Sequence, residues 1–293
     1  MRFPSCVKLT RRNGFKLTFS AISARFLHGQ ASPLAPNLIG GIPARSPEAP
    51  TGSQFAASVE HLDRPQREQA ILTQLLSGNL PSFLRKLASV KLSYQPPAGP
   101  SVAATIFVMP EYLAIGSDSD FLRIPMNLYT ASEIARQFRF LLPTRKMVDA
   151  VYDQAPCRFT PQPLPAGPEM TSTQYYRTHN ALIDEQSQTH THAFGALAAG
   201  HKKDVVLTRL LNSNPGRIAI YGWHRAKGDP IQPLSLVHGA GYADYSHGIR
   251  LVAGMALLDG KLQAIRDVLQ DRLLANVFTD EGVIHLPAAF SAV

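Results

Sequence analysis

Arg217-Ile218-Ala219-Ile220-Tyr221-Gly222-Trp223-His224 decides the fold class. Ile218 and Ile220 alternate with Ala219 and Tyr221, the two-residue period of a strand with one face buried. Shorter or similar segments flank it. Val205–Leu207 lies before it and Tyr242–Val252 after it, and Leu257–Leu262 reads as a hairpin turning at Asp259-Gly260. Along the chain helices and strands intermix without a regular βαβ alternation, so a wound βαβ sheet is not expected. The expected fold is α+β: a mostly antiparallel sheet formed by the central and C-terminal strands, packed against several helices.

The segments upstream supply those helices. Ile71, Leu72, Leu75 and Leu76, then Phe83, Leu84 and Leu87, recur at helical spacing, and Gly78 to Pro81 divides them into two short helices. Gln95–Pro100 is a loop. Ala103–Ile115 is strand-like and ends at Gly116-Ser117-Asp118, so Phe121–Met126 is expected to fold back on it. Thr130–Phe140 is expected to be helical, with Thr130 as cap and Glu133 completing a capping box. Further helices are expected over 146–154, 173–186 and 264–277.

Residues 1–56 read as a disordered basic leader followed by a Pro/Gly-rich linker, and residues 57–293 as one globular α+β domain. The net charge of +8 arises mostly in that leader: Arg2, Lys8, Arg11, Arg12, Lys16, Arg25 and Arg45 precede Glu48, the first acidic residue. Without those seven the basic and acidic counts nearly balance, so no nucleic-acid partner is expected. A basic, acid-free leader resembles an export or transit segment in composition, and equally a solvated tail. It sets the expectation of an extracytoplasmic or secreted location. No uninterrupted apolar run reaches the ~20 residues of a membrane span. With only Cys6 and Cys157, a disulfide framework is excluded.

Ten histidines are present and only two precede His179. Imidazole titrates near neutrality and binds metals, so the clustering points to a site. Gly200-His201-Lys202-Lys203-Asp204 leads into a strand. Asp204 either orients His201 there, or both belong to a charged turn. His224 ends the Arg217–His224 strand on the face of Ile218 and Ile220, and Gly222 marks a bulge or a close backbone approach. Trp223 either stacks on a ligand ring or fills the core. His238 to Arg250 is the densest polar stretch. As a strand it would put Tyr242, Asp244, Ser246 and Arg250 on one face and Tyr245 and His247 on the other. Its alternative role is an internal hydrogen-bonded network.

His201, Asp204, His224 and His247 are therefore the expected catalytic groups. Tyr221, Trp223, Tyr242, Asp244, Tyr245 and Arg250 are the expected substrate contacts, with Arg250 suited to an anionic group. The same four catalytic candidates would suit a divalent metal such as zinc. His179 sits on an apolar helix face as a core residue, and His190 and His192 read as loop residues or a chelating pair. Thr144-Arg145-Lys146 opens a helix as a cap or as an anion site. Ser117, Asp118 and Asp120 form a turn with or without a cation. No Walker loop, dinucleotide fingerprint, Gly-x-Ser-x-Gly elbow or His-Glu-x-x-His motif is present. The functional expectation is an exported hydrolase of a cell-envelope or extracellular polymer, or else a carbohydrate- or peptide-binding module without catalysis.

Overall fold

The computed structural model describes residues 38–39, 41–188 and 195–286. In chain order its first half contains helices α1 (Gly52–Ser58) and α2 (Arg64–Leu76), then strands β1 (Ala88–Tyr94), β2 (Val102–Val108), β3 (Ala114–Gly116) and β4 (Phe121–Arg123). Helix α3 (Leu128–Phe138), strand β5 (Phe140–Leu141), helix α4 (Arg145–Gln154), strand β6 (Cys157–Arg158) and helix α5 (Thr173–Gln188) follow. The second half holds β7 (Ala198–Ala199), β8 (Lys203–Val205), α6 (Leu210–Ser213), β9 (Ile220–Ala226), β10 (Asp229–Ser235) and β11 (His247–Gly248). It closes with β12 (Val252–Ala253), β13 (Met255–Leu258), β14 (Lys261–Ala264) and α7 (Ile265–Gln270).

The fold is α+β. Strand β2 organises the largest sheet. It pairs with β1 along its full length, Ala88 opposite Val108 and Tyr94 opposite Val102, and with β12 and β13 along its other edge. Every pairing in this six-stranded sheet is antiparallel. The β13–β14 hairpin turns at Asp259 (φ 46°) and Gly260 (φ 78°), the two positive dihedrals that let a tight turn match strand twist. A second sheet runs β10-β9-β8-β11, antiparallel except that β11 joins β8 in parallel, His247 opposite Lys203. Helix α3 covers the core with Ala131, Ile134, Ala135 and Phe138, while Phe107 and Val108 of β2 enter it from the sheet. Burying a side chain such as Phe107 contributes roughly 1.5–3 kcal/mol.

Several expectations are corrected. Folded structure begins before residue 57: Thr51 caps α1 in a capping box, and Phe55 and Ala56 are core residues. The Ala103–Ile115 segment is two strands, because Pro110 supplies no amide to continue β2. The expected hairpin with Phe121 does form between β3 and β4. Helix α3 starts earlier than expected, with the Asn127 side chain accepting from the Thr130 amide. The C-terminal helix stops at Gln270, with a separate 3-10 turn at Ala275–Val277. Strand β10 lacks the apolar alternation that would have revealed it, whereas β1 carries one in Ala88, Val90, Leu92 and Tyr94 that the helical reading of the preceding residues passed over. Most consequential, 242–252 is not one strand: only His247–Gly248 and Val252–Ala253 are extended pairs, and the residues before them turn. No helix among the described residues is long and apolar enough to cross a membrane.

Candidate functional site

The backbone of β9 decides where two candidates point. Gly222 (φ 106°) and Trp223 (φ 57°) both take positive dihedrals in mid-strand. The kink shifts the alternation by one residue. Ile218, Ile220 and Trp223 face the main core, whereas Ala219 and Tyr221 pack with Val148 and Val206. His224 therefore lies with Tyr221, ring edge to face at 5.7 Å, and not with the isoleucines. A left-handed conformation at a tryptophan costs on the order of 1–2 kcal/mol.

The three histidines expected to share a cavity instead each meet a separate carboxylate. His201 Nε2 lies 2.7 Å from Glu111 Oε1, His224 Nε2 3.0 Å from Asp149 Oδ1, and His247 Nε2 3.9 Å from Asp244 Oδ2. All three rings are buried, and none lines the main open cavity. Among the described residues no group of three or more His, Cys, Asp or Glu side chains is placed to hold a metal ion, so the four zinc-ligand candidates form no single centre.

Around Glu111 the geometry is that of a locked ion network. Glu111 accepts from the Tyr112 amide (2.8 Å), from His201 and from Arg123 Nε (3.0 Å). Arg123 Nη1 continues to Asp184 (2.7 Å) and Asn180 (3.1 Å). Burial raises the Glu111 pKa, but His201 and Arg123 outweigh it and hold the carboxyl well below its ordinary range. Burial pulls His201 down despite Glu111, so the imidazole is neutral. A carboxylate only accepts, so the ring proton sits on Nε2 and Nδ1 is bare. Asp204 does not orient His201. Its Oδ2 accepts from the Tyr112 hydroxyl at 2.8 Å, and burial drives its carboxyl up to about 6.

Around His247 the elements are a turn, two strands and an aromatic wall. The Asp244 Oδ1 atom accepts from the Ser246 amide (2.8 Å) and hydroxyl (2.6 Å), and Oδ2 from Tyr242 (3.2 Å). Against burial, the His247 ring and the Ser246 bonds hold Asp244 below its ordinary pKa. His247 is fully buried, and neither ring nitrogen has a hydrogen-bond partner. Burial takes its pKa down to about 4, so the ring is neutral near pH 7. Tyr242 packs on it at 5.8 Å and His238 at 6.3 Å, while His238 and Tyr242 stack on each other at 4.2 Å and are only half-buried. Lys203 holds its ammonium 4.9 Å from the Trp223 ring. Trp223 is a core residue whose Nε1 has no partner. His179 is likewise buried without a partner on either nitrogen, ring edge on Tyr245 at 5.1 Å, so it is not the satisfied core histidine the helix pattern predicted.

Other candidates are taken up by the fold. Arg250 is sealed in the core, donating to Met109 O (2.8 Å) and Ala198 O (2.6 Å) over the Tyr112 ring, so it reaches no substrate anion. The Tyr245 hydroxyl accepts from the Leu164 amide, and Tyr221 donates to Asp149. Thr144 caps α4 while Arg145 pairs with Asp280 and Lys146 donates to Asn276 O, which fills the expected anion site with protein. Asp118 and Asp120 accept from Ser82 and Ser53 at the starts of the neighbouring helical turns. Burial raises the pKa of the Cys157 thiol. His190 and His192 lie outside the described residues. Glu111, Arg123 and Asp149 went unnoticed in the sequence. Glu111 had a signal, as the lone charge within Ala103–Ile115. Asp149 had none, since its partner comes from a distant strand.

Comparison of the chain with protein-family models, with curated proteins and with solved structures gives no match. The class defined by fold and site is an α+β domain in which three buried imidazoles each face a carboxylate, those of Glu111 and Asp244 buried and that of Asp149 half-exposed, and its chemistry has to be argued from those pairs.

Proposed function

We propose that the chain is a hydrolase in which His247 is the general base and Asp244 its charge partner. The observation that carries this reading is that His247 is wholly buried, neutral, and bonded at neither nitrogen. Leaving such a group unpaired costs about 1–3 kcal/mol, a burden that a proton-accepting role accounts for. A water reached past the half-buried His238–Tyr242 stack would give its proton to a bare ring nitrogen. The imidazolium so formed would stand 3.9 Å from the ionised Asp244, and the Lys203 ammonium would face developing negative charge. The composition of the leader supports an extracytoplasmic polymer as substrate. A binding module without catalysis is the second reading, favoured by one observation: the open cavity lies beside Glu111 and not beside His247.

The test uses purified full-length protein on cell-wall sacculi, following new reducing ends and new amino groups. Release should fall by about 10²–10⁴-fold in His247→Ala and persist in His224→Ala. Equal release by wild type and His247→Ala would remove the base from the scheme. Retention of the protein on sacculi with no release at all would favour the binding module.

A further inference from the structure

The main open cavity encloses about 690 Å³, within the ~300–1,000 Å³ of small-ligand sites. Its lining includes neither His247 nor Asp244, so a ligand held there is independent of the hydrolase reading. One wall is a face of α5: Arg177, Asn180, Ala181 and Asp184. Phe83, Phe121 and Phe159 supply an apolar wall, and Glu111 and Arg123 also line the space.

The charges on the α5 wall are ordered. Arg177 is exposed and makes no hydrogen bond or ion pair among the described residues. Asp184 is seven residues further on, about 10 Å along the axis at 1.5 Å per residue, and on the same face. Each Asp184 oxygen accepts one bond, Oδ1 from Arg123 and Oδ2 from Asn180, and its side chain is 44% exposed. A carboxylate has about four acceptor positions, so Asp184 can take a further donor. Between the two charges Ala181 adds little bulk, which leaves room for a chain laid along the helix. Asp118 and Asp120, also on the lining, accept from Ser82 and Ser53 and lie off the helix, so Asp184 is the lining carboxylate that shares a helix face with Arg177. The wall therefore offers an unpaired cation and an anion about two helical turns apart, beside aromatic rings.

We infer that this cavity binds a short zwitterionic peptide, its free carboxylate on Arg177 and its free amine on Asp184. An extended chain covers at most ~3.3–3.6 Å per residue, so a span of about 10 Å corresponds to about three residues. The pairing is directional: reversal would put like charges together at both ends. Side chains of the peptide meet the phenylalanine wall, which favours apolar residues.

The experiment is isothermal titration of the full chain with trialanine, with its C-terminal amide and with its N-acetyl form. Trialanine should bind, and amidation should weaken it by about tenfold or more, the scale of one charge-assisted pair. In Arg177→Gln, an exposed substitution whose fold is checked by circular dichroism, the free acid and the amide should bind alike. In Asp184→Asn the N-acetyl penalty should shrink in the same way. No heat from trialanine at millimolar concentration would overturn the inference. So would an amidation penalty that is equal in wild type and Arg177→Gln. Binding is read without turnover, so failure here is distinct from failure of the hydrolase test.

Discussion

Replacing Asp204 by asparagine should flatten the pH dependence of stability. Asp204 is buried, Oδ1 has no partner, and the Tyr112 hydroxyl donates to Oδ2. Burial raises its pKa from 3.8 to about 6, against the pull of Arg250, Tyr112 and His224. The folded protein thus holds this proton more tightly than the unfolded chain. The resulting stability is fully present below pH 3.8 and is lost as pH rises through about 6. A shift of roughly two units at ~1.4 kcal/mol each amounts to about 3 kcal/mol, of which about 2 falls between pH 4 and pH 7. Asparagine keeps the shape and the acceptor for Tyr112 but cannot titrate. Its unpaired amide carries a cost that does not vary with pH, so the comparison must be a double difference. Urea unfolding of wild type and Asp204→Asn at pH 4 and pH 7 gives it. The wild type should lose about 2 kcal/mol more than the variant over that interval. Parallel pH profiles for the two proteins would refute the reasoning, because they would mean that Asp204 ionises in the fold as it does in water.

Two other substitutions probe the packing around the buried charges. Arg123→Met leaves Glu111 buried without its guanidinium and should cost roughly 3–5 kcal/mol in urea unfolding, while Glu111→Gln combined with Arg123→Met should recover part of that loss. Gly222→Ala adds a Cβ 3.4 Å from both Asp204 Oδ2 and Val148 at a φ of 106°, so the melting temperature should fall by an amount matching about 1–2 kcal/mol. An unchanged melting temperature would show that the β9 kink relaxes.

The fold class was legible because it depends on local periodicity. Alternation survives from Ile218 to Tyr221, as does the Asp259-Gly260 turn. Register was not legible. The kink at Gly222-Trp223 moves His224 to the opposite face, and a glycine only hints at such a shift. The turn before His247 removes the alternation on which the facing of Tyr242 to Arg250 relied. The histidines meet carboxylates, though His201 meets Glu111 and not the Asp204 that the sequence set beside it. His247 meets Asp244 three residues earlier, but which carboxylate His201 and His224 meet is set by pairings between distant parts of the chain, such as β6 with β7 and β8 with β9. Those pairings leave no trace in any local window.

Strand β2 has a bearing on how the molecule is made. Its first edge is filled by the preceding strand, but Thr105 finds its second neighbour only at Leu257. During synthesis, one side of an apolar strand stays open until the residues around Leu257 have left the ribosome. Such late closure slows folding and invites association with other nascent chains. Truncation ahead of residue 252 should accordingly yield insoluble protein, however intact the upstream helices are.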